Sequence, residues 1–554
     1  MSRGTWLTGV ALGSALIGTQ AQAAPRSLHY EITPERVAGQ LADLRIRLAL
    51  PARAGATYTL DLPDGVVAHL APSGFSIEGG EKRDPAKPVG NRLALKATAA
   101  RLVVTYRLLS DGAKTLRADD QGMAIHANWF SLRGDEALIT PVDARTGAAT
   151  VTLTPLPKWA LTSSVDGAAS LADIGDSQFV GGVNYRVMAR TVDGVPFRLT
   201  YPESFAAKAQ ALMNDATTIV TAERHFWGTP GKPVYIGLVE LDDDGNVSGR
   251  GLHDGLSLYL GAGVDRKTWV RLIAHENLHG WISRAIGGFP ATDSDLEAWL
   301  NEGFTEAYTA RLLLSSGLWT PQDYIDDWNL SLARYGTSPV KTAPNHRILA
   351  DRQTDFDVNK LPYDRGRLLA VIWDKTFRER TQGRTGLSDV LRAQMVEAAR
   401  YGQDPQMSAD RLFPMVAKRL TGVDLGPDID RFVDKGDALV LAPGTFGACV
   451  NVQDVTQPVF DRGFDLDATF HAHGHVAGLE AGGPADKAGL KAGDKIRIDE
   501  IPTHDSRVTL SYRVDDGGGQ SHWVRYHPEG ATTVTFQQLS LKPGGSPDCV
   551  RAVP

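Results

Sequence analysis

Cysteine is almost missing from this chain: Cys449 and Cys549 are the only two in 554 residues. That excludes a disulfide-dense scaffold and leaves room for one bridge at most. Long apolar runs are missing too. Beyond the first two dozen residues nothing approaches the ~20 consecutive apolar residues of a membrane helix, so no membrane span is expected after signal cleavage. Basic runs are likewise missing and the formal net charge is −7, so nucleic acid is not expected as a partner. No G-x-S-x-G elbow occurs, which removes the specific signal for a serine hydrolase. Glycine and proline are plentiful instead, at 57 and 30, and imply many turns and a substantial β component. The length exceeds what one core supports, so several domains are expected.

The N terminus has the form of a secretory signal. Arg3 supplies a minimal positive region, residues 6–18 a short apolar one, and Ala21-Gln22-Ala23 an A-x-A cleavage site. Residues 1–23 are therefore expected to be removed, and the form of the signal suggests a bacterial chain that is periplasmic or secreted. In that compartment Cys449 and Cys549 become candidates for a disulfide. Closing a loop of about 100 residues restricts the unfolded chain by roughly 4 to 5 kcal/mol in the loop-entropy model.

The chemistry concentrates in residues 274–281, AHENLHGW. His275 and His279 stand four apart, so on a helix they project from one face and can take two corners of a zinc tetrahedron. Glu276 then lies beside the open coordination position as a general base. Such a motif arises by accident in about one chain in fifty of this length, so a third ligand has to follow before it carries weight. Glu302 supplies it, from a second helical pattern in residues 296–308. A His₂Glu set leaves the fourth position of one Zn²⁺ open, where the ion brings a water's pKa to around 7. Glu306, one turn beyond Glu302, is placed either to orient a ligand histidine or to lie on the helix surface.

Around this centre the chain falls into blocks. Residues 24–165 alternate short β-like runs with turn clusters, as in an all-β sandwich. Residues 166–440 open with an alanine-rich helix at 204–228, continue with β-like runs at 233–241 and 251–261, and become mostly helical. The acidic turn at 242–246 lacks the ligand spacing of a calcium loop and is expected to be a hairpin turn. Residues 445–554 return to β. His471, His473 and His475 alternate there, so on a strand they share one face, as a solvated edge or as metal ligands.

With Glu302 in place, the chain resembles the glycyl aminopeptidase family of gluzincin zinc peptidases. The resemblance rests on His275-Glu276-x-x-His279 with Trp281, on the block from Trp299 through Glu302 to Thr305, and on Tyr363-Asp364-Arg365-Gly366 before an apolar helix. It implies a multidomain α+β fold: an N-terminal all-β sandwich, a thermolysin-like, mainly α catalytic domain with a small β-sheet, and a C-terminal PDZ domain of β-sandwich or barrel type. Residues 475–502 resemble a PDZ domain by the signature Pro484-Ala485-x-Lys487-Ala488-Gly489-Leu490-x-x-Gly493-Asp494. Its groove is expected to hold a peptide C-terminus or a segment of the same chain.

The resemblance also assigns roles. Tyr363 takes the position of the hydroxyl that donates to the tetrahedral oxyanion. Gly251, Leu252, His253 and Asp254 align with a strand that binds substrate, and 251–258 would pair with the substrate backbone as an added strand. In the family a Glu of that strand binds the substrate's free amine; here His253 replaces it, with Asp254 next in line. The expected activity is hydrolysis of peptide or protein substrates, as a metallo-aminopeptidase. The alternatives are a zinc endopeptidase without a free-amine requirement and a peptide-binding protein with a vestigial site.

Overall fold

The computed structural model describes residues 27–37, 40–81, 88–111, 116, 122–142, 147–165, 167–228, 234–242, 247–289, 294–402, 405–497, 505–517 and 520–542. The expected signal at 1–23, Cys549 and most of the 242–246 turn lie outside them. No helix among the described residues is long and apolar enough to cross a membrane.

The first part is β, as its alternating pattern predicts. Leu44, Ile46, Leu48 and Leu50 bury one face of the strand Gln40–Pro51, and Leu102, Val104, Tyr106 and Leu108 do so from Arg101–Leu109. These strands are neighbours in a six-stranded sheet that also contains Leu28–Val37 and Ala148–Leu153, the latter two paired in parallel. Smaller four- and three-stranded sheets complete the region around one apolar core. Tyr30 and Tyr106 reach through it and donate their hydroxyls to the carbonyls of Ile139 and Ala137, at 2.8 and 2.7 Å. The pairing continues past residue 165: Gln178–Gly182 runs antiparallel to Trp129–Arg133.

The central part begins with a five-stranded sheet. Its strands are β1 (Tyr185–Val192), β2 (Val195–Pro202), β3 (Val234–Leu241), β4 (Val247–Leu252) and β5 (Gly255–Gly261), in the order β1-β2-β3-β5-β4. Strand β4 is therefore an edge. Helix α1 (Ala206–Trp227) buries Leu212, Ala216, Ile219 and Val220 at helical spacing and stops at Gly228, whose φ of 68° is the usual left-handed stop. Helices α2 (Arg266–Leu278), α3 (Ala298–Ser315), α4 (Pro321–Thr337) and α5 (Phe356–Arg380) follow and share one extended core with the sheet.

The last part contains the antiparallel ribbon Val450–Phe460 with Glu529–Leu541, whose second strand packs on α4. A three-stranded sheet and two short helices enclose a separate small core around Phe464, Val476, Leu490 and Tyr512. The three alternating histidines do not share a strand. His471 ends the helix Leu466–His471, His473 takes φ 55° in the turn, and His475 makes an isolated bridge to Lys495. Residues 472–474 turn the chain, so the period-2 argument has no strand to act on.

Where this last part meets the start of α5 lies a cavity of about 520 Å³, lined among others by Asp355, Phe356, Asp357, Arg462, Asp465 and Asp467. Burial, with Asp355, Asp467 and Asp364 nearby, pushes the Asp357 carboxyl up to about 6 against the pull of Arg334. In an unfolded chain the same group titrates near about 4. Between those values the folded state holds the extra proton, so its stability falls as pH rises from about 4 to about 6. Asp357→Asn, which mimics the protonated form, is expected to raise the melting temperature at pH 8 and to leave it unchanged near pH 4. Equal shifts at both pH values in a thermal melt would contradict this.

Candidate metal centre

Helix α2 begins where Asp265 accepts the Thr268 N–H at 2.9 Å, and it carries His275 and Glu276 in its last turn with His279 as its cap. The pattern predicts a helix through residue 282, but it ends at His279. Beyond it Ser283 takes φ 146° and ψ −69°, a conformation that a side-chain-bearing residue adopts only under constraint. That kink brings the Ile282 carbonyl to 3.4 Å from His279 Nδ1, leaving Nε2 to face inward.

Helix α3 brings Glu302 to the two imidazoles. Its Oε2 lies 3.3 Å from His275 Nε2 and 3.6 Å from His279 Nε2. The donor atoms of His275, His279 and Glu302 all fall within 4.8 Å of one another, which among the described residues is true of no other group of three or more His, Cys, Asp or Glu. Two imidazole nitrogens and one carboxylate suit a zinc ion with one position left open. Burial disfavours a charged His275, but Glu302 and Glu306 more than offset it and hold its pKa up to about 10. Glu302 is pulled down to about 2, against its burial, by His279 and His275. The pocket thus strongly favours positive charge between these groups, as a metal site requires.

Glu306 does not lie on the helix surface. Its Oε1 is 2.9 Å from His275 Nδ1, an ion-pair contact on the side of the ring opposite Nε2, which faces Glu302. Its other oxygen pairs with Arg271, which also reaches Asp327 at 2.8 Å; Asp327 in turn accepts from Arg367 at 2.5 Å. Arg367 is fully buried, with its guanidinium 4.1 Å from the Trp328 ring centroid. Removing one member of such a network leaves an uncompensated buried charge. Arg271 stands four residues before His275 on the same helix face, so sequence spacing alone was enough to flag it. Nothing local pointed to Asp327 or Arg367.

The helices α3 and α5 cross at two glycines. A Cβ on Gly366 would lie 1.8 Å from the Trp299 carbonyl oxygen, and one on Gly303 would lie 2.3 Å from the Gly366 Cα. One glycine follows Glu302 directly and the other stands three residues after Tyr363. Their contact brings the Tyr363 ring near-parallel to His275, with centroids 6.3 Å apart and planes 20° apart. Arg352, paired with Asp295, lies close enough to act electrostatically on both Tyr363 and Glu302.

Glu276 is buried against the edge strand. A Cβ on Gly249 would meet its Cγ at 2.6 Å, and the Gly251 backbone hydrogen-bonds its carboxylate. Burial raises its pKa; His275 and His279 oppose this, and Glu302 adds to it. A carboxylate raised above its ordinary value is better suited to accept a proton. At the next position Asn277 donates to Glu223, a fully buried acid of α1 that pins α2 from behind.

The comparisons with known proteins bear on this centre. The family model described as M61 glycyl aminopeptidase matches residues 268–355, which include His275, Glu276, His279, Glu302 and Glu306. The chain is a peptidase. No curated protein matches. Among solved structures, an aminopeptidase N family protein from Idiomarina loihiensis superposes with a TM-score of 0.67 at 15% identity, over 95% of this chain and 99% of that one, and so shares the fold. An M1 zinc metallopeptidase from Deinococcus radiodurans gives a TM-score of 0.42 at 15% identity, over 72% and 93%.

Other residues of this peptidase lie beyond the matched segment. Gly251 and Leu252 end the edge strand β4, but His253 and Asp254 form the turn to β5. The pairing of Leu252 with Gly255 leaves these two as the hairpin tip, so the edge strand is 247–252 rather than 251–258. His253 Nδ1 is 2.8 Å from Asp173 Oδ1, and its backbone N–H donates to the Asp176 carbonyl at 3.3 Å. Both partners belong to the N-terminal region, whose Asp176 side chain also pairs with Arg284. Cys449 is buried in the central core beside Val450, and its expected partner Cys549 falls outside the described residues.

Proposed function

We propose that the chain is an exported zinc-dependent peptidase that attacks peptides from their N-terminal end. The observation that carries this is the convergence of His275, His279 and Glu302 within 4.8 Å, with the Glu276 carboxylate buried on the same helix. When bound, zinc would polarise the scissile carbonyl and acidify a water. The chain's own residues do the rest. Glu276 takes the proton from the attacking water and passes it to the leaving amine. Tyr363 donates a hydrogen bond to the oxyanion that develops on the former carbonyl. Glu306 holds the His275 ring, and the open edge of β4 offers backbone groups to an extended substrate.

The preference for a free N terminus rests on the tip of the β4–β5 hairpin. Contacts from His253 and Arg284 to Asp173 and Asp176 tie the hairpin tip and the segment after α2 to the N-terminal region, and a barrier at that end of the site would suit an exopeptidase. The second reading, an endopeptidase, rests on the same His253, because an imidazole engaged by Asp173 does not replace an amine-binding carboxylate. A free peptide and its N-acetylated form separate the two readings. We expect hydrolysis of the free peptide, loss of activity with a chelator, recovery with about one zinc per chain, and no cleavage of the acetylated form. Equal cleavage of both would favour the endopeptidase, and hydrolysis insensitive to chelation would sink both. A protein that bound peptides without cleaving them would be the vestigial case.

A three-domain division, with the first limit moved from residue 165 to beyond residue 182 to follow the sheet pairing and the last domain at 445–554, belongs to the same proposal, as do the removal of residues 1–23, a periplasmic or secreted location and a Cys449–Cys549 bridge. So does a PDZ-like role for the C-terminal part in holding a peptide C-terminus or a segment of this chain.

A further inference from the structure

One cation beside the candidate metal centre has no role in the chemistry described so far. Lys360 stands three residues before Tyr363 on α5, and Phe356, Lys360 and Tyr363 follow one another at helical spacing on one face. The Lys360 Nζ lies 4.9 Å from the Tyr363 ring centroid and 5.7 Å from that of Phe356. Among the described residues it has no hydrogen-bond or ion-pair partner, although Glu302, Glu306 and Asp364 are near enough to act on its charge. Burial and Arg334 pull its pKa below the ordinary lysine value, and those three acids pull it back up. A flexible lysine free to move would pair with a carboxylate in water. Here the ammonium rests on two aromatic faces instead.

We infer that Lys360 is a positioning residue for Tyr363: its ammonium over the phenol ring fixes the ring beside His275 and strengthens the hydroxyl as a donor to an oxyanion. The physical basis is attraction between the cation and the negative face of the ring. Withdrawing electron density from the ring makes the O–H more polar. This deepens the peptidase reading and depends on it for the identity of the acceptor.

The test is a double-mutant cycle on the full chain, with a second readout that needs no activity. Lys360→Met is expected to lower kcat about tenfold, within the reach of a partly desolvated cation–π contact, with KM and zinc content unchanged. Lys360→Arg, which keeps a cation able to stack, is expected to retain most of kcat. In a Tyr363→Phe background, Lys360→Met should cost nothing further, because the hydroxyl it acts through is gone. In metal-free protein carrying ring-labelled tyrosine, the ¹³Cζ resonance that disappears in Tyr363→Phe should shift in Lys360→Met. An equal loss in the Tyr363→Phe background, a change confined to KM, or an unmoved ¹³Cζ resonance would each overturn the inference. Wild-type protein that loads zinc but hydrolyses nothing would instead sink the peptidase reading and leave the resonance to decide the Lys360 contact by itself.

Discussion

Glu276→Gln is expected to keep the metal and lose the reaction: about one zinc per chain, and kcat lowered by about a thousandfold, in the range ascribed to general acid–base catalysis. The glutamine side chain has nearly the same shape, so it fits against Gly249 and Gly251 without disturbing α2. It cannot take up a proton at neutral pH, so both the attack and the departure of the amine lose their carrier. The three side chains proposed to hold the metal are untouched, and the folded structure should melt as before or slightly higher, because burial of the native carboxylate is itself unfavourable. Zinc content by elemental analysis and kcat on a short peptide settle the matter. A variant with more than a tenth of wild-type kcat would remove Glu276 from the mechanism, and one without zinc would make the residue structural.

The second large effect is expected from steric fit rather than from a change of charge. Gly366→Ala puts a methyl 1.8 Å from the Trp299 carbonyl oxygen, a backbone atom that cannot rotate away. Helices α3 and α5 must then separate. Overpacking ordinarily costs about 1–3 kcal/mol, and a backbone-to-backbone clash belongs at or above the upper end. Glu302 and Tyr363 sit on the two helices, so the site opens along with the crossing. The expected outcome is a melting temperature lower by several degrees, zinc affinity weakened at least about tenfold, and a loss of kcat. Gly303→Ala should behave alike, since the two glycines face each other. Unchanged zinc affinity in Gly366→Ala would mean that the crossing does not position Glu302.

Much of the site was legible without coordinates because its signals are local or carried by motifs. His275, Glu276 and His279 lie within five residues on one helix, and helical periodicity alone puts the two imidazoles on one face. Glu302 was legible as the acid in a second helical pattern. Tyr363 rested on the resemblance of its motif rather than on spacing, and the structure places its ring beside His275. Alternating Leu and Val positions announced the N-terminal strands for the same reason, since a period of two is a property of the strand itself.

The remaining features depend on contacts between positions far apart in the chain. His253 and Asp254 were read as strand residues because the run around them is β-like, yet the register between β4 and β5 makes them a hairpin tip. The three alternating histidines fitted a strand equally well until the turn at His473 removed it. Sequence by itself determined which side chains could hold a metal and move a proton, because chemistry and local spacing reside in short segments. Tertiary structure alone decided which strand edge lies open, that Asp327 and Arg367 steady the Arg271–Glu306–His275 chain, and that Gly303 and Gly366 set the approach of Glu302 to Tyr363. Those outcomes follow from packing between helices and strands, where steric fit and buried charge select partners that no local pattern specifies.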